Sequence, residues 1–234
     1  MSHPPRQCRP APAAGAGLTS MARVLCLHGL GGTGATMWPL VATLGQAGHE
    51  VLAPTLPGHG STPSDLIGVS WSAWLAAALA WPADAVVGQS MGGALALAVA
   101  ATAACRAAVA INPPAPDPDA VEGLQWRISR GHEWLDDARA FPGETAYHRL
   151  PTSALLAMAS GIASIDLAAV TQPVLLVSSR HDDVVDPASA DVIAAALGGP
   201  VRRVTLEHGG HVATLDEDRG RLCTAVETFL RTHV

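Results

Sequence analysis

No part of this 234-residue chain concentrates positive charge. Its 14 Lys and Arg residues stand against 20 Asp and Glu, the formal net charge is −6, and the arginines are scattered rather than gathered into a stripe. That distribution excludes nucleic acid as an expected partner, because a polyanion needs a basic face to neutralise its phosphates. Cysteine is sparse: Cys8, Cys26, Cys105 and Cys223 lie far apart with no C-x-x-C spacing, so neither a thiolate metal site nor a redox pair is expected. Reduced, buried thiols in a cytoplasmic protein are the expectation. Long leucine or isoleucine runs are also missing. Hydrophobic residues make up 49% of the chain and mean hydropathy is +0.26, but alanine carries much of the excess.

Two uncharged windows, Leu66 to Ala83 and Ala85 to Cys105, reach the length of a membrane span. The first contains three tryptophans and Pro82, the second contains Gln89, Ser90 and three glycines, and buried elements account for both better than lipid does. No integral membrane span is expected. Residues 1–21 are rich in Pro, Ala and Gly and lack the apolar centre of a signal peptide, so they read as a disordered extension.

From Ala22 onward strand-like and helix-like segments alternate, the pattern of a parallel sheet with crossover helices. Strands are expected at Val24 to His28, Glu50 to Pro54, the residues ending at Val87, Ala107 to Asn112, Pro173 to Val177 and Val201 to Leu206. Helices are expected at about Thr36 to Ala47, Trp71 to Trp81, Met91 to Thr102, Pro187 to Leu197 and Glu217 to Arg231. Between Pro113 and Leu150 the character changes. Four prolines are followed by Trp126, Trp134, Phe141 and Tyr147 among charged residues, which reads as a small cap of short helices over the carboxyl edge of the sheet. The expected organisation is one domain from residue 22 to residue 234, with the cap inside it.

Gly88-Gln-Ser-Met-Gly92 has the spacing G-x-S-x-G between an apolar strand and an apolar helix. A turn this tight crowds backbone atoms, which the two glycines tolerate, and it presents the serine hydroxyl at the carboxyl edge of the sheet. A nucleophilic serine needs a histidine to take its proton and a carboxylate to orient that histidine. Both follow at strand ends. Asp182 is the preferred acid, since the valines two and three residues later would bury its loop, with Asp183 as runner-up; Asp186 reads as a helix cap. His211 is the preferred base because two glycines precede it, and Asp216 reads as the cap of the last helix. His208 and His211 could form part of a metal site, but no third ligand has suitable spacing.

Gly29-Leu-Gly-Gly-Thr-Gly34 satisfies G-x-G-x-x-G after a strand. A dinucleotide site would also want an acidic residue at the end of the second strand, where the chain has Ala53-Pro54-Thr55. No G-K-[ST] follows either. No cofactor and no metal is therefore expected. The His28-Gly29-Leu30 turn fits half of an oxyanion hole instead, with Leu30 supplying its backbone N–H.

Taken together, His28-Gly-Leu30, Leu56-Pro-Gly-His-Gly60, Gly88-Gln-Ser-Met-Gly-Gly93, Arg180-His-Asp182 and Gly210-His-Val-Ala-Thr-Leu-Asp216 resemble the α/β-hydrolase family, and within it the small bacterial carboxylesterases and monoacylglycerol lipases. The resemblance implies an α/β-hydrolase fold: a mostly parallel, doubly wound sheet, helices on both faces, and a cap inserted after the strand that follows the nucleophile helix. It implies Ser90 as nucleophile, Asp182 as acid, His211 as base, and the N–H groups of Leu30 and Met91 as the oxyanion hole. The implied activity is hydrolysis of a small-molecule carboxylic ester. Thioester hydrolysis or acyl transfer on the same triad, and a catalytically silent ligand-binding protein on this scaffold, are the alternatives. The residues assign no oligomeric state.

Overall fold

The computed structural model describes residues 21–136 and 146–234. The expected N-terminal extension and Phe141 lie outside the described residues. The chain enters β1 (Arg23–Leu27), makes a short 3-10 turn at Gly34–Met37, and continues into α1 (Trp38–Gln46), β2 (Glu50–Leu52), α2 (Trp71–Leu79) and β3 (Ala85–Gln89). Next come α3 (Met91–Thr102), β4 (Ala107–Ile111), α4 (Pro118–Ser129), β5 (Trp134–Asp136), β6 (Arg149–Pro151) and α5 (Thr152–Ala163). The final elements are β7 (Val174–Ser179), α6 (Ser189–Ala196), β8 (Val201–Leu206) and α7 (Arg219–His233).

Six strands form one sheet in the order β2-β1-β3-β4-β7-β8, every neighbouring pair parallel. Side chains alternate across it, as the two-residue period of a strand requires. Leu25, Leu27, Val86, Ala108, Ala110, Val174 and Leu176 face a core built with α2 and α3. Val24, Cys26, Val87, Val109, Ile111, Leu175 and Val177 face a second core, completed by Leu40 and Leu44 of α1 and by Leu222, Val226, Phe229 and Leu230 of α7. The doubly wound sheet implied by the sequence is the one observed. Helix α3 is buried from Met91 to Ala100, which explains why its sequence is apolar all round rather than on one stripe. Among the described residues no helix is long and apolar enough to cross a membrane. The thiols of Cys26, Cys105 and Cys223 are buried, and burial followed by proximity to Cys223 pushes Cys26 up to about 12.

Between β4 and β7 the chain leaves the sheet. Where short helices are expected, the described residues form one 12-residue helix, α4, and a two-stranded antiparallel ribbon in which Trp134 pairs with Pro151. Asp117 caps α4 by accepting from the Ala120 N–H at 3.1 Å, and Pro118 occupies its first turn. The Arg149 guanidinium lies 4.0 Å from the centre of the Trp134 ring, tying the two strands of the ribbon together. Helix α5, which the sequence pattern does not announce, packs against α4.

The strand order carries the functional consequence. The chain runs from β1 outward to β2 and then returns to place β3 on the other side of β1. The carboxyl ends of β1 and β3 therefore flank the point where winding reverses, the crevice in which open α/β sheets place their ligands.

Candidate active site

Ser90 follows β3 at that crevice, with φ 56 and ψ −122. A positive φ at a residue with a side chain costs on the order of 1–3 kcal/mol and persists only where the surroundings enforce it. Here they do. Ser90 N–H donates to the Ile111 carbonyl at 2.8 Å, and the Ser90 carbonyl accepts from Gly93 N–H at 2.8 Å, so the peptide is held from both sides. A Cβ at Gly88 would fall 1.9 Å from the Gly92 carbonyl oxygen, and one at Gly92 would fall 2.1 Å from the Leu27 carbonyl oxygen. Both glycines of the pentapeptide are thus demanded by close backbone approach, as the sequence pattern implies. Met91 begins α3, so its N–H belongs to the first turn and has no acceptor within the helix.

The turn after β1 abuts this elbow. A Cβ at Gly29 would lie 3.3 Å from Ser90 Cβ and 3.7 Å from Ser90 Oγ, which brings the Gly29-Leu30 peptide beside the hydroxyl. His28 locks the turn. Its Nδ1 lies 2.8 Å from the Gly29 carbonyl and its Nε2 accepts from the Leu56 N–H at 3.0 Å. A carbonyl can only accept and an amide can only donate, so the proton sits on Nδ1 and the ring is neutral. Burial, then repulsion from the His59 ring at 4.8 Å, lowers its pKa from 6.5 to about 3. The unfolded chain accepts this proton near pH 6.5 and the folded chain only near pH 3. Stability is therefore full above pH 6.5 and is lost as pH falls, with a slope rising toward about 1.4 kcal/mol per pH unit. His28→Gln retains a donor and an acceptor without titrating. Its urea-unfolding free energy is expected to fall less than that of wild type between about pH 6.5 and about pH 4.5, and parallel curves would contradict this account.

The loop after β7 presents Asp182 and the loop after β8 presents His211. Nδ1 of His211 lies 2.8 Å from Asp182 Oδ2 and 3.0 Å from Oδ1. The Asp182 side chain is 2% exposed, and the N–H groups of Val184 and Val185 donate to its Oδ1 at 2.9 Å each. The two valines thus fix the carboxylate through their backbone N–H groups; their side chains do not bury the loop as the sequence suggests, since Val184 is 43% exposed. Asp183 is exposed. Arg180 and Glu207 pair at 2.7 Å across the same two loops, an exposed contact of modest energetic weight.

Two expectations require correction. Asp216 is not the cap of the last helix, and Glu217 and Asp218 are not in its first turn, because α7 begins at Arg219. The carboxylates of Asp216 and Asp218 turn back onto the histidine loop: Asp216 Oδ2 accepts from Gly210 N–H at 2.5 Å, and Asp218 Oδ2 accepts from His208 N–H at 2.8 Å. The His208 N–H first, and then the Gly209 N–H at 3.3 Å, hold the Asp218 carboxyl below its ordinary range. Asp186 is likewise not the N-cap of α6, which starts at Ser189 with Ala188 at the cap; its carboxylate accepts from Ala188 N–H at 2.9 Å in the turn before the helix. Gln89, inside the pentapeptide, also reaches the histidine loop, accepting from Thr214 N–H at 3.1 Å.

With this geometry in place, the comparison with known proteins is direct. A sequence profile of the alpha/beta hydrolase family matches residues 24–225. The chain belongs to the α/β-hydrolase family. Among relatives of this α/β-hydrolase, the thermostable monoacylglycerol lipase of Bacillus sp. (strain H-257) is 30% identical, with 90% of each chain covered. The carboxylesterase of Bacillus subtilis (strain 168) is 24% identical, with 88% of this chain and 91% of that one covered. A solved structure from work on two metagenome-derived lipolytic enzymes, LipS and LipT, superposes with a TM-score of 0.81 at 28% identity, covering 92% of this chain and 97% of that one. The monoacylglycerol lipase of Paleococcus ferrophilus shares the fold at a TM-score of 0.73 and 17% identity, with 91% and 95% covered.

The segment between β4 and β7 reaches the turn after β1 of this α/β-hydrolase directly. Tyr147 N–H donates to the Gly31 carbonyl at 3.0 Å. The Tyr147 hydroxyl donates to the Gly58 carbonyl at 3.1 Å and accepts from Ser61 N–H at 3.0 Å. One residue therefore fastens the loop bearing Leu30 to the loop bearing His59. Beside the Asp182 loop a cavity of about 430 Å³ opens between α4, α5 and residues 184–192, lined mainly by apolar side chains including Leu124, Leu155, Met158 and Val185.

Proposed function

We propose that this α/β-hydrolase is a serine carboxylic ester hydrolase of the carboxylesterase or monoacylglycerol lipase type, working through an acyl-enzyme on Ser90. The observation that carries the reading is the buried Asp182 carboxylate held 2.8 Å from His211 Nδ1, in loops that follow two strands of the sheet whose third strand delivers Ser90. A carboxylate on Nδ1 fixes the tautomer whose Nε2 is free to accept a proton. Ser90 Oγ attacks the ester carbonyl carbon as its proton passes to His211 Nε2. The carbonyl oxygen becomes an oxyanion facing the N–H groups of Leu30 and Met91, which are fixed before the reaction begins and need not reorganise. Collapse of the intermediate breaks the ester C–O bond, and His211 returns the proton to the departing alkoxide. Water then repeats the sequence on the acyl-enzyme and releases the carboxylic acid.

The segment from Pro113 to Leu150, extended by α5, serves as the cap. The cavity it walls, beside the Asp182 loop, is lined mainly by apolar side chains with Asp117 and Asp186 among them. The relatives named above act on esters in the same sense. The test is covalent labelling. A fluorophosphonate probe is expected to modify the protein with 1:1 stoichiometry on the peptide containing Ser90, and p-nitrophenyl esters of two to sixteen carbons are expected to be cleaved without added metal or nucleotide. A folded protein that takes no label, or takes it elsewhere, contradicts the proposal.

A further inference from the structure

Immediately after β4, between the strand that delivers Ser90 and the strand that leads to Asp182, stands Asn112. It is 3% exposed and has φ 47, the left-handed conformation that asparagine tolerates better than most residues. Every polar end of its side chain is engaged. Oδ1 accepts from Ser179 N–H at 2.8 Å. The two Nδ2 hydrogens are shared among the Ser179 hydroxyl at 3.0 Å, the His211 carbonyl at 2.8 Å and, more weakly, the Gly210 carbonyl at 3.3 Å. The orientation of the amide is dictated by its partners, since the Ser179 amide can only donate and the two carbonyls can only accept.

We infer that Asn112 is a positioning residue for His211, the carboxamide that registers the loop of the base against the strand of the acid. This rests on the reading of Ser90, Asp182 and His211 given above. On the acid side, Ser179 ends β7, and its carbonyl accepts from Asp182 N–H at 3.3 Å to close the turn that presents the carboxylate. On the base side, Asn112 holds the carbonyls of the histidine and of the residue before it, while Asp216 holds the N–H of Gly210 from the other direction. The contact to the nucleophile is one residue away, through the Ile111 carbonyl that accepts from Ser90 N–H. Three strand ends that must agree to within fractions of an ångström are thus referred to a single buried amide. A site whose productive geometry tolerates about 0.5 Å needs such support around its reacting groups. Asparagine is the residue type that fits: aspartate would face two carbonyl oxygens with a third oxygen, and alanine would leave both carbonyls and the Ser179 amide without their partner.

The experiment compares wild type with Asn112→Ala, Asn112→Asp and, as a control, Gln172→Ala, which removes a half-buried carboxamide bonded to the Ala100 carbonyl at the far end of α3. Each is assayed on p-nitrophenyl butyrate below its own melting temperature, and the proton spectrum is inspected for the low-field Nδ1–H resonance of the histidine paired with Asp182. Asn112→Ala is expected to lower kcat about 10- to 100-fold, with KM within about threefold, and to shift or broaden that resonance, as expected when positioning alone is lost. Gln172→Ala is expected to lower the melting temperature with kcat and the resonance unchanged. If Asn112→Ala does not fold, Asn112→Asp, which keeps the side-chain shape, is expected to show the same loss of kcat. A folded Asn112 variant with wild-type kcat and an undisturbed resonance overturns the proposal. If the wild-type protein takes no label on Ser90, the failure lies in the triad reading instead.

Discussion

Ser90→Ala is expected to reduce kcat on p-nitrophenyl butyrate by about 10⁴- to 10⁶-fold while changing KM by no more than a few-fold. The asymmetry follows from what the hydroxyl touches. Ser90 is half-buried at the elbow, and the surfaces that would hold the ester in the ground state belong to other residues: the Gly29-Leu30 turn, the start of α3 and the apolar lining of the cap. Removing Oγ deletes the bond-forming atom and leaves those surfaces in place. Alanine also inherits the φ of 56, so the variant keeps the strain of the parent and its melting temperature is expected to stay close to that of wild type. On the proposed mechanism a residual rate above that of water is expected, because the Leu30 and Met91 amides would still stabilise an oxyanion and His211 would still activate a water molecule. A variant that retained wild-type turnover after removal of any contaminating esterase would assign the chemistry to another residue.

How much of this could be read from the sequence depends on how local each signal is. The elbow was legible because its demands are short-range: the glycines answer to backbone atoms at Gly92 and Leu27, and any chain that makes this turn beside β1 needs them. Strand positions were legible because a parallel sheet covered on both faces writes nearly continuous apolar runs. Asp216 was misread because a helix cap and a loop brace call for the same residue type, and only the fold shows that its carboxylate points back to Gly210. Helix α5 went unread for a related reason. It begins at Thr152 with Pro151 at its N-cap and no side-chain cap, and its Gly161 lies where a Cβ would meet the Trp71 ring at 2.0 Å, a requirement set by α2 rather than by neighbouring sequence. Asn112 sits at the extreme of this scale. In sequence it is the last residue of an apolar strand before a run of prolines, and its partners lie 67 to 99 positions away.

Asp182→Asn and Asp183→Asn differ by one position and are expected to differ by about four orders of magnitude in kcat. The reason is the direction in which an amide would settle. Oδ1 of Asp182 accepts from both Val184 and Val185 N–H, which donate and cannot do otherwise. An asparagine would keep its oxygen on those two donors and turn its NH₂ toward His211 Nδ1. The ring would then accept at Nδ1 and carry its proton on Nε2, the tautomer that cannot take a proton from Ser90. Loss of tautomer control at a triad of this kind costs about 10⁴ in kcat. The backbone of the loop would be almost undisturbed, so the variant is expected to melt within a few degrees of wild type and to react with a fluorophosphonate far more slowly, in proportion to its lost esterase rate. Asp183→Asn changes an exposed side chain and leaves the Asp182 carboxylate on His211 Nδ1, and its kcat is expected to stay within about threefold of wild type. The two rates, measured side by side on p-nitrophenyl butyrate, decide which carboxylate orients the base. Equal losses would mean that the loop acts as a unit rather than through Asp182, and a larger loss at Asp183 would reverse the assignment.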